Sequence, residues 1–484
     1  MNPGLLRVLE RRPAAQVALL LLIAAAARLP GLAAVPEIVA DEGLWTISTK
    51  NFVKFGDWFM DGHRHMLLSP TFHLLSLLTF ETLGPSIFAA RLLSASLATV
   101  SGALLYAIVW RVCGRTDLAF VTALVFAVND WLVIQSRYAL VEPTELTLAL
   151  AALLLMTYSS RTSVIAAGLL MALALLAKIN IVFFLPLAAA LAPANSSAGL
   201  STGLRSPFYR AALFAAVALG VTGSAYGHLY LSYPDHLVAA FRYELDGVHF
   251  EGISSPLARV GRFGIDPVQI GRTVLELLRV SPFLFVLAAM GLAALPLVRP
   301  QGAPLFATWA LVGTAFFLSQ MFQPTRYFYL VSPAYAFLAA VALTSVWTPQ
   351  VGAPPRSRRL AVPLVAVYLA YNAAYLGMNA VANRGTMLEA VTAWARRNTQ
   401  PEDVVLAAGY LCTDLENRAY AHYRYARTPK QLEDSIRRLH VRYVIFDRKE
   451  WQPQLGDYLA ARFPVAARWS FGAVYDVSSL WRDR

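Results

Sequence analysis

Apolar stretches of about 20 residues, each long enough to cross bilayer hydrocarbon as a helix, recur along most of the chain between short basic or Pro/Gly-containing loops. Eleven are predicted as spans: 14–33, 88–110, 118–135, 143–158, 163–178, 179–195, 210–231, 281–298, 304–320, 327–347 and 360–381. With Arg7, Arg11 and Arg12 placed in the cytoplasm, the loops falling on that side contain Arg111 and Arg115, Arg161, Arg205 and Arg210, Arg299, and Arg356, Arg358 and Arg359. This is the positive-inside pattern, and it holds at every inner loop. The outer segments are then 34–87, 136–142, 232–280, 321–326 and the tail from Asn383 onward. Counting Met66 to Leu83 as a further crossing would move Arg111 and Arg115 outside, so that stretch is predicted to lie as a helix at the outer surface. Within 41–55, Leu44, Trp45, Ile47, Phe52 and Phe55 share one side of a helical wheel, the pattern of an interfacial amphipathic helix.

After residue 382 the pattern changes to charged, turn-rich sequence. Met387 to Arg397 has helical periodicity, and Asp403 to Ala408 reads as a buried strand. Thr428-Pro429-Lys430-Gln431 is a capping box with proline at the first helical position, opening a helix that ends near His440. Val441 to Phe446 is a second strand, and Ala466 to Val477 a terminal hairpin turning at Phe471-Gly472. The division expected is a membrane domain over 1–382 and a small α/β domain outside the membrane over 383–484.

Composition agrees with the pattern. The 484 residues are 57% hydrophobic and 14% charged, with mean hydropathy +0.51, a balance that excludes a soluble globular chain. The first span follows Arg11-Arg12 and is expected to be a retained anchor, since a cleaved leader is one apolar stretch before a soluble body. The net charge of +12 is spread over many loops and the C-terminal region. Nucleic-acid binding needs a basic stripe and is not expected. Cys113 and Cys412 fall on opposite sides of this topology, so neither a disulfide nor a metal framework is implied.

The chemistry is sought first at Asp41-Glu42, an acidic pair placed directly after the first membrane exit, where charge is costly to hold near hydrocarbon. Other patterns follow in order: Gly84-Pro85-Ser86 with Ala89-Ala90-Arg91-Leu92, Ser136-Arg137 with Glu142-Pro143, Gly168 with Ala177-Lys178 and Pro186, and Pro324-Thr325-Arg326-Tyr327 with Pro333. Each has a plainer reading. The acidic pair also suits a solvated loop, Arg137 and Glu142 an ion pair fixing a turn, Lys178 a side chain reaching from a helix end to the interface, and Arg326 an interfacial anchor. Asp61, His63 and His65 have a spacing open to metal binding, but solvated histidines are the reading kept. No metal is assigned there.

This ordered set resembles the membrane glycosyltransferases of the GT-C fold, in particular the branch of protein O-mannosyltransferases and lipid A aminoarabinose transferases. The resemblance spans roughly 14–381 and implies a polytopic α-helical fold, a sugar donor carried on a polyprenyl phosphate, and transfer to an acceptor on the outer face. It also implies that Asp41 is the essential carboxylate and Glu42 its acidic neighbour, placing the acceptor or a cation. Relatives carry a Lys-Pro pair in the first outer loop for the donor phosphate. Here the corresponding stretch reads Leu68-Ser69-Pro70, which leaves Lys178, Arg326 or the basic residues of 232–280 for that contact. Arg137, Glu142, Arg242, Arg259 and Arg262 are candidates for the cavity and for a lid formed by 232–280.

The physics of an outward-facing transferase points the same way. Nucleotide sugars are absent outside the cytoplasmic membrane, so the donor must be lipid-linked. Its departing phosphate then needs cationic stabilisation in a low-dielectric site, and a single carboxylate suffices as base for a direct, inverting displacement. No cofactor is assigned, and a divalent cation is left open. The expected localisation is the cytoplasmic membrane, with the N-terminus inside and the C-terminal domain outside. A transporter or flippase of a lipid-linked sugar is the alternative, but it would be built from internal repeats with charges at mid-membrane depth. A non-catalytic scaffold is the third reading, and it gives no reason for Asp41.

Overall fold

This computed structural model describes residues 12–60, 64–191, 207–245, 259–260, 263–264, 266–320, 325–347, 356–382, 387–421, 428–448 and 451–482. The first apolar stretch forms α1 (Pro13–Arg28), followed by α2 (Ala40–Phe55), α3 (His65–Leu68), α4 (Pro70–Leu83) and α5 (Ile87–Cys113). Next, α6 (Thr116–Val128) and α7 (Asp130–Arg137) are bent by 58°. The bend falls at Asn129, whose side chain leaves the first helix to cap the second by accepting from the Leu132 N–H. Then come α8 (Glu142–Met156), α9 (Arg161–Ala177), a 3₁₀ turn Ile179–Phe183, α10 (Phe184–Ala190), α11 (Pro207–Ser232) and α12 (Pro234–Leu245). A hairpin of β1 (Arg259–Val260) and β2 (Phe263–Gly264) precedes α13 (Pro267–Val280), α14 (Pro282–Val298), α15 (Ala303–Leu318), a 3₁₀ turn Thr325–Leu330, α16 (Ser332–Trp347) and α17 (Arg356–Ala382).

Every one of the eleven predicted spans contains helix. By length and composition, α5 and α11 are apolar and long enough to cross a membrane alone, and the bent pairs α6/α7 and α13/α14 bring the number to four among the described residues. Several of the others are apolar helices of 10–17 residues, so helix length alone does not count the crossings. Their interior is one apolar core in which Phe126, Phe184, Phe306 and Trp309 are fully buried. Gly168 permits the close packing of α9 on α11, since a Cβ there would lie 2.7 Å from Val217 Cβ.

The two ends of the helical body differ. At one end Arg111 stacks on Tyr158 at 3.9 Å and bonds Thr157, while Arg210 donates to the Met156 and Tyr158 carbonyls. Basic side chains thus close the C-terminal end of α8 by taking up carbonyls the helix leaves without partners. The other end of α5, about 40 Å away by helix rise, meets the C-terminal part of the chain.

That part contains α18 (Met387–Asn398), β3 (Val404–Ala407), β4 (Arg418–Ala421), α19 (Pro429–Leu439), β5 (Val441–Asp447), α20 (Pro453–Arg462), β6 (Val465–Trp469), β7 (Gly472–Asp476) and α21 (Ser479–Arg482). Thr428 caps α19 by accepting from the Gln431 N–H, and His440 ends it at φ 53°. The strands form one sheet in the order β4-β3-β5-β7-β6, parallel across β4, β3 and β5 and antiparallel across β5, β7 and β6. The central strand β5 is buried along nearly its whole length, as expected where both sheet faces are covered. One face carries Leu432, Ile436, Leu455 and Leu459 of α19 and α20. The other is covered by Val391 and Ala395 of α18 and by Ile47 of α2. Strand β4 and helix α20 are absent from the sequence reading.

Two expectations are corrected here. The amphipathic helix expected at the interface over 41–55 is instead enclosed by protein: Ile47, Lys50 and Asn51 are fully buried, and Lys50 Nζ donates to the Asn417 carbonyl at 2.6 Å. A helical wheel reveals that an apolar face must be covered, and tertiary packing decided that the cover is the C-terminal sheet as well as α4. The outer segment 232–280, read as a loop, contains α12 and α13. The latter turns by 107° from α14 and exposes Val268, Val274, Leu275 and Leu278 beside Arg272, Glu276 and Arg279, the composition of a helix lying along an interface.

Candidate active site at the helix ends

The site is assembled from helix ends. Asp41 and Glu42 occupy the first turn of α2, where the exposed N–H groups and the helix dipole favour acidic side chains. Glu142 begins α8. Lys178 ends α9 in an extended conformation, φ −167° and ψ 137°, at the break before the 3₁₀ turn. Arg326 stands in the 3₁₀ turn that leads into α16.

Four predicted residues from four distant parts of the chain form one chain of charges. Arg326 Nη1 pairs with Asp41 Oδ2, Arg326 Nε lies 3.6 Å from Glu142 Oε1, and Lys178 Nζ donates to the same oxygen at 3.2 Å. The Asp41 side chain is 36% exposed, against 17% for Arg326, 3% for Glu142 and 12% for Lys178. Asp41 is therefore the member most open to a substrate. Lys178 also stands 4.5 Å from the ring centre of Tyr327 and 5.2 Å from that of Trp45, faces that hold an ammonium group in place. Trp45 belongs to an apolar cluster with Phe72, Leu140, Val141 and Ala177, so one wall of the site is dry.

Glu42 points elsewhere. Its carboxylate is fully buried and accepts from Arg91 Nε and Nη2, both at 2.7 Å, from the Ala139 N–H at 2.8 Å and from the Val39 N–H at 3.2 Å. With both oxygens engaged twice, it ties together α2, α5 and the turn before α8. Glu42, expected to place an acceptor or a cation, has both carboxylate oxygens engaged by protein donors here. Arg137 likewise makes no bond to Glu142: its guanidinium donates to the carbonyls of Ala27, Pro30 and Val35 and so clasps the loop that delivers Asp41. Arg28, fully buried, does the same for the Phe126 and Ala127 carbonyls at the α6/α7 bend.

Arg242 lies on α12 and Arg259 on β1, but their side chains, together with Arg262, Asp61 and His63, lie outside the described residues. His65 is buried, edge-on to Trp45 with ring centres 5.0 Å apart. Among the described residues no group of three or more His, Cys, Asp or Glu side chains is disposed to hold a metal ion. Cys113 and Cys412 are both free and buried.

Two participants were missed from the sequence. Arg91 appeared only within a motif, although an arginine one turn into an apolar span signals a buried partner. Glu145, one turn after Glu142, is fully buried, and neither carboxylate oxygen has a hydrogen-bond partner among the described residues. Glu42, Asp130, Glu142 and Glu145 are buried acids that stand in helices of the apolar body.

Comparison with known proteins follows the same lines. Residues 66–196 match the family model described as dolichyl-phosphate-mannose-protein mannosyltransferase. No curated protein matches the chain in sequence. Among solved structures, ArnT from Cupriavidus metallidurans bound to undecaprenyl phosphate is similar at TM-score 0.68 and 18% identity, over 97% of this chain and 98% of that one. The Archaeoglobus fulgidus oligosaccharyltransferase in its apo form is similar at TM-score 0.58 and 13% identity, over 93% and 71%. The arabinofuranosyltransferase AftD from Mycobacteria is similar at TM-score 0.53 and 15% identity, over 97% of this chain and 40% of that one. The chain has the GT-C fold of these membrane proteins and resembles the superfamily of protein O-mannosyltransferases and lipid A aminoarabinose transferases.

Proposed function

We propose that this chain is a membrane glycosyltransferase that moves a sugar from a polyprenyl-phosphate donor to an acceptor outside the membrane, with Asp41 as the base. The observation that carries the reading is the charge chain Asp41, Arg326, Glu142 and Lys178. It brings one accessible carboxylate and two cations together at the ends of α2, α8 and α9. A lipid-phosphate donor is supported by the undecaprenyl phosphate held by the ArnT neighbour.

In this reading the donor phosphate binds to Lys178 and Arg326, exchanging their carboxylate partners for its own oxygens. Asp41 is released from Arg326 by the same exchange. The acceptor hydroxyl then passes its proton to Asp41 as its oxygen attacks the anomeric carbon. The bond from that carbon to the phosphate oxygen breaks, and the charge gained by the leaving phosphate is held by the two cations. Configuration at the anomeric carbon inverts, because one carboxylate acts and no glycosyl-enzyme bond forms. Glu42, Arg91 and Arg137 keep Asp41 in place. The reading further assigns the protein to the cytoplasmic membrane, with residues 383–484 as an outer domain.

The test is transfer by the purified protein in nanodiscs from a short-chain polyprenyl-phosphate sugar to candidate acceptors, read by mass spectrometry. Transfer by the unaltered protein and none by Asp41→Asn is the expected outcome. Movement of the intact lipid-linked sugar across the bilayer of sealed liposomes holding the protein, without transfer, would instead establish the flippase alternative.

A further inference from the structure

We infer that the segment Gly409–Asn417 is a positioning element of the candidate site, bracing the first turns of α2 and α5 so that Glu42 stays against Arg91 and Asp41 keeps its direction. The inference rests on the proposed function only in naming Asp41 as the base.

Helix α2 has two worked faces. Glu42, Trp45 and Thr49 turn toward the helical body, where they meet Arg91, Lys178 and His73. Gly43, Thr46, Lys50 and Lys54, spaced along one stripe, turn toward the C-terminal segment. A Cβ on Gly43 would lie 2.0 Å from the Gly409 carbonyl oxygen, so only glycine allows the two backbones to touch. Thr46 Oγ1 and Thr413 Oγ1 share a hydrogen bond of 2.6 Å, Lys50 donates to the Asn417 carbonyl, and Lys54 pairs with Glu416.

The same segment holds α5. Asp414 Oδ2 accepts from the Ile87 N–H at 3.1 Å, taking up a donor that the first turn of a helix leaves without a partner. Arg91 lies one turn further along α5. Burial pushes the Asp414 carboxyl up to about 6, with the Ile87 N–H and Arg91 pulling it back and Glu42 acting against them. The carboxyl is thus close enough to feel both members of the buried pair. Connecting segments ordinarily run over the surface, yet Tyr410, Leu411, Cys412, Thr413 and Leu415 are all buried. A brace that joins the two helices carrying Glu42 and Arg91 from the side opposite the site accounts for this burial.

The experiment uses the full chain in nanodiscs with Asp41→Cys as a positional reporter, Cys113 and Cys412 being replaced by serine. Gly43→Ala and Asp414→Ala are expected to change the rate at which a small charged thiosulfonate labels the reporter several-fold. Asp414→Asn, which keeps an acceptor for the Ile87 N–H, is expected to leave it as it was. In protein carrying Asp41, the two disruptive variants should lower kcat roughly a hundredfold, as a small misplacement of a reacting group does, and leave the donor KM unchanged. Asp414→Asn should restore kcat. Unchanged labelling in both disruptive variants overturns the inference whatever the transfer assay gives. Changed labelling with no transfer by the unaltered protein removes the glycosyltransfer reading and leaves the brace standing. Should Gly43→Ala fail to fold, a Thr46→Cys/Thr413→Cys pair decides. Closure of that disulfide with reporter labelling unchanged supports a segment that stays docked, and closure that alters labelling until reductant is added overturns it.

Discussion

Arg91 and Glu42 form a two-point ionic contact with both side chains fully buried, Nε to Oε1 and Nη2 to Oε2 each at 2.7 Å. Such a pair is a costly thing to break from one side, since the remaining charge is left in a low-dielectric interior. Arg91→Met should therefore destabilise the protein by about 3–5 kcal/mol, seen as a fall in Tm in detergent. The double variant Glu42→Met/Arg91→Met should recover much of that loss. Equal melting of the single and double variants would contradict the contact.

Asp41→Asn should lower transfer by roughly 10²–10⁴-fold, the usual contribution of a general base, while donor binding and membrane insertion persist. Glu42→Gln is expected to act differently, lowering Tm more than it alters the pH profile of turnover, because Glu42 is engaged by Arg91 and two backbone N–H groups. Steady-state kinetics beside thermal melting separate the two.

Lys178→Met and Arg326→Gln should each weaken a short-chain polyprenyl-phosphate donor by about 1.5–3 kcal/mol, the worth of a charge-assisted hydrogen bond. Titration of the purified variants measures it. Unchanged donor affinity in both would return the two side chains to the role of interfacial anchors.

Asp414 sets a pH dependence of stability. Its carboxyl binds a proton more tightly in the folded protein, at about 6, than at the ordinary value of 3.8. Its stabilising contribution is complete below the lower value and is lost as pH rises through the higher one. Asp414→Asn should then melt above the unaltered protein near neutral pH, by an amount on the order of 1–3 kcal/mol. The two should converge as pH falls toward about 4. A pH-independent difference would exclude this origin.

The topology is checked with exposed positions at the two ends. Glu402→Cys should react with a membrane-impermeant thiol reagent in intact cells, and Arg161→Cys should not. The native cysteines are buried and do not compete. Reversed labelling would place the candidate site on the cytoplasmic face.

The helical character of the chain, its breaks and the helix and strands that open the C-terminal domain follow from local rules, because apolar length, basic loops and caps such as Thr428 act within a few residues of one another. The family resemblance likewise rests on short motifs in order, and these contain Asp41, Glu142, Lys178 and Arg326. Tertiary structure alone decided what each carboxylate touches. Asp41 and Glu42 are neighbours in sequence, yet the helical rotation of α2 sends one toward Arg326 and the other into the grip of Arg91. The cover of α2, the carbonyl clasp of Arg137 and the buried Glu145 were equally hidden. Each depends on which distant backbone comes within hydrogen-bond reach, and a one-dimensional pattern carries no record of that distance.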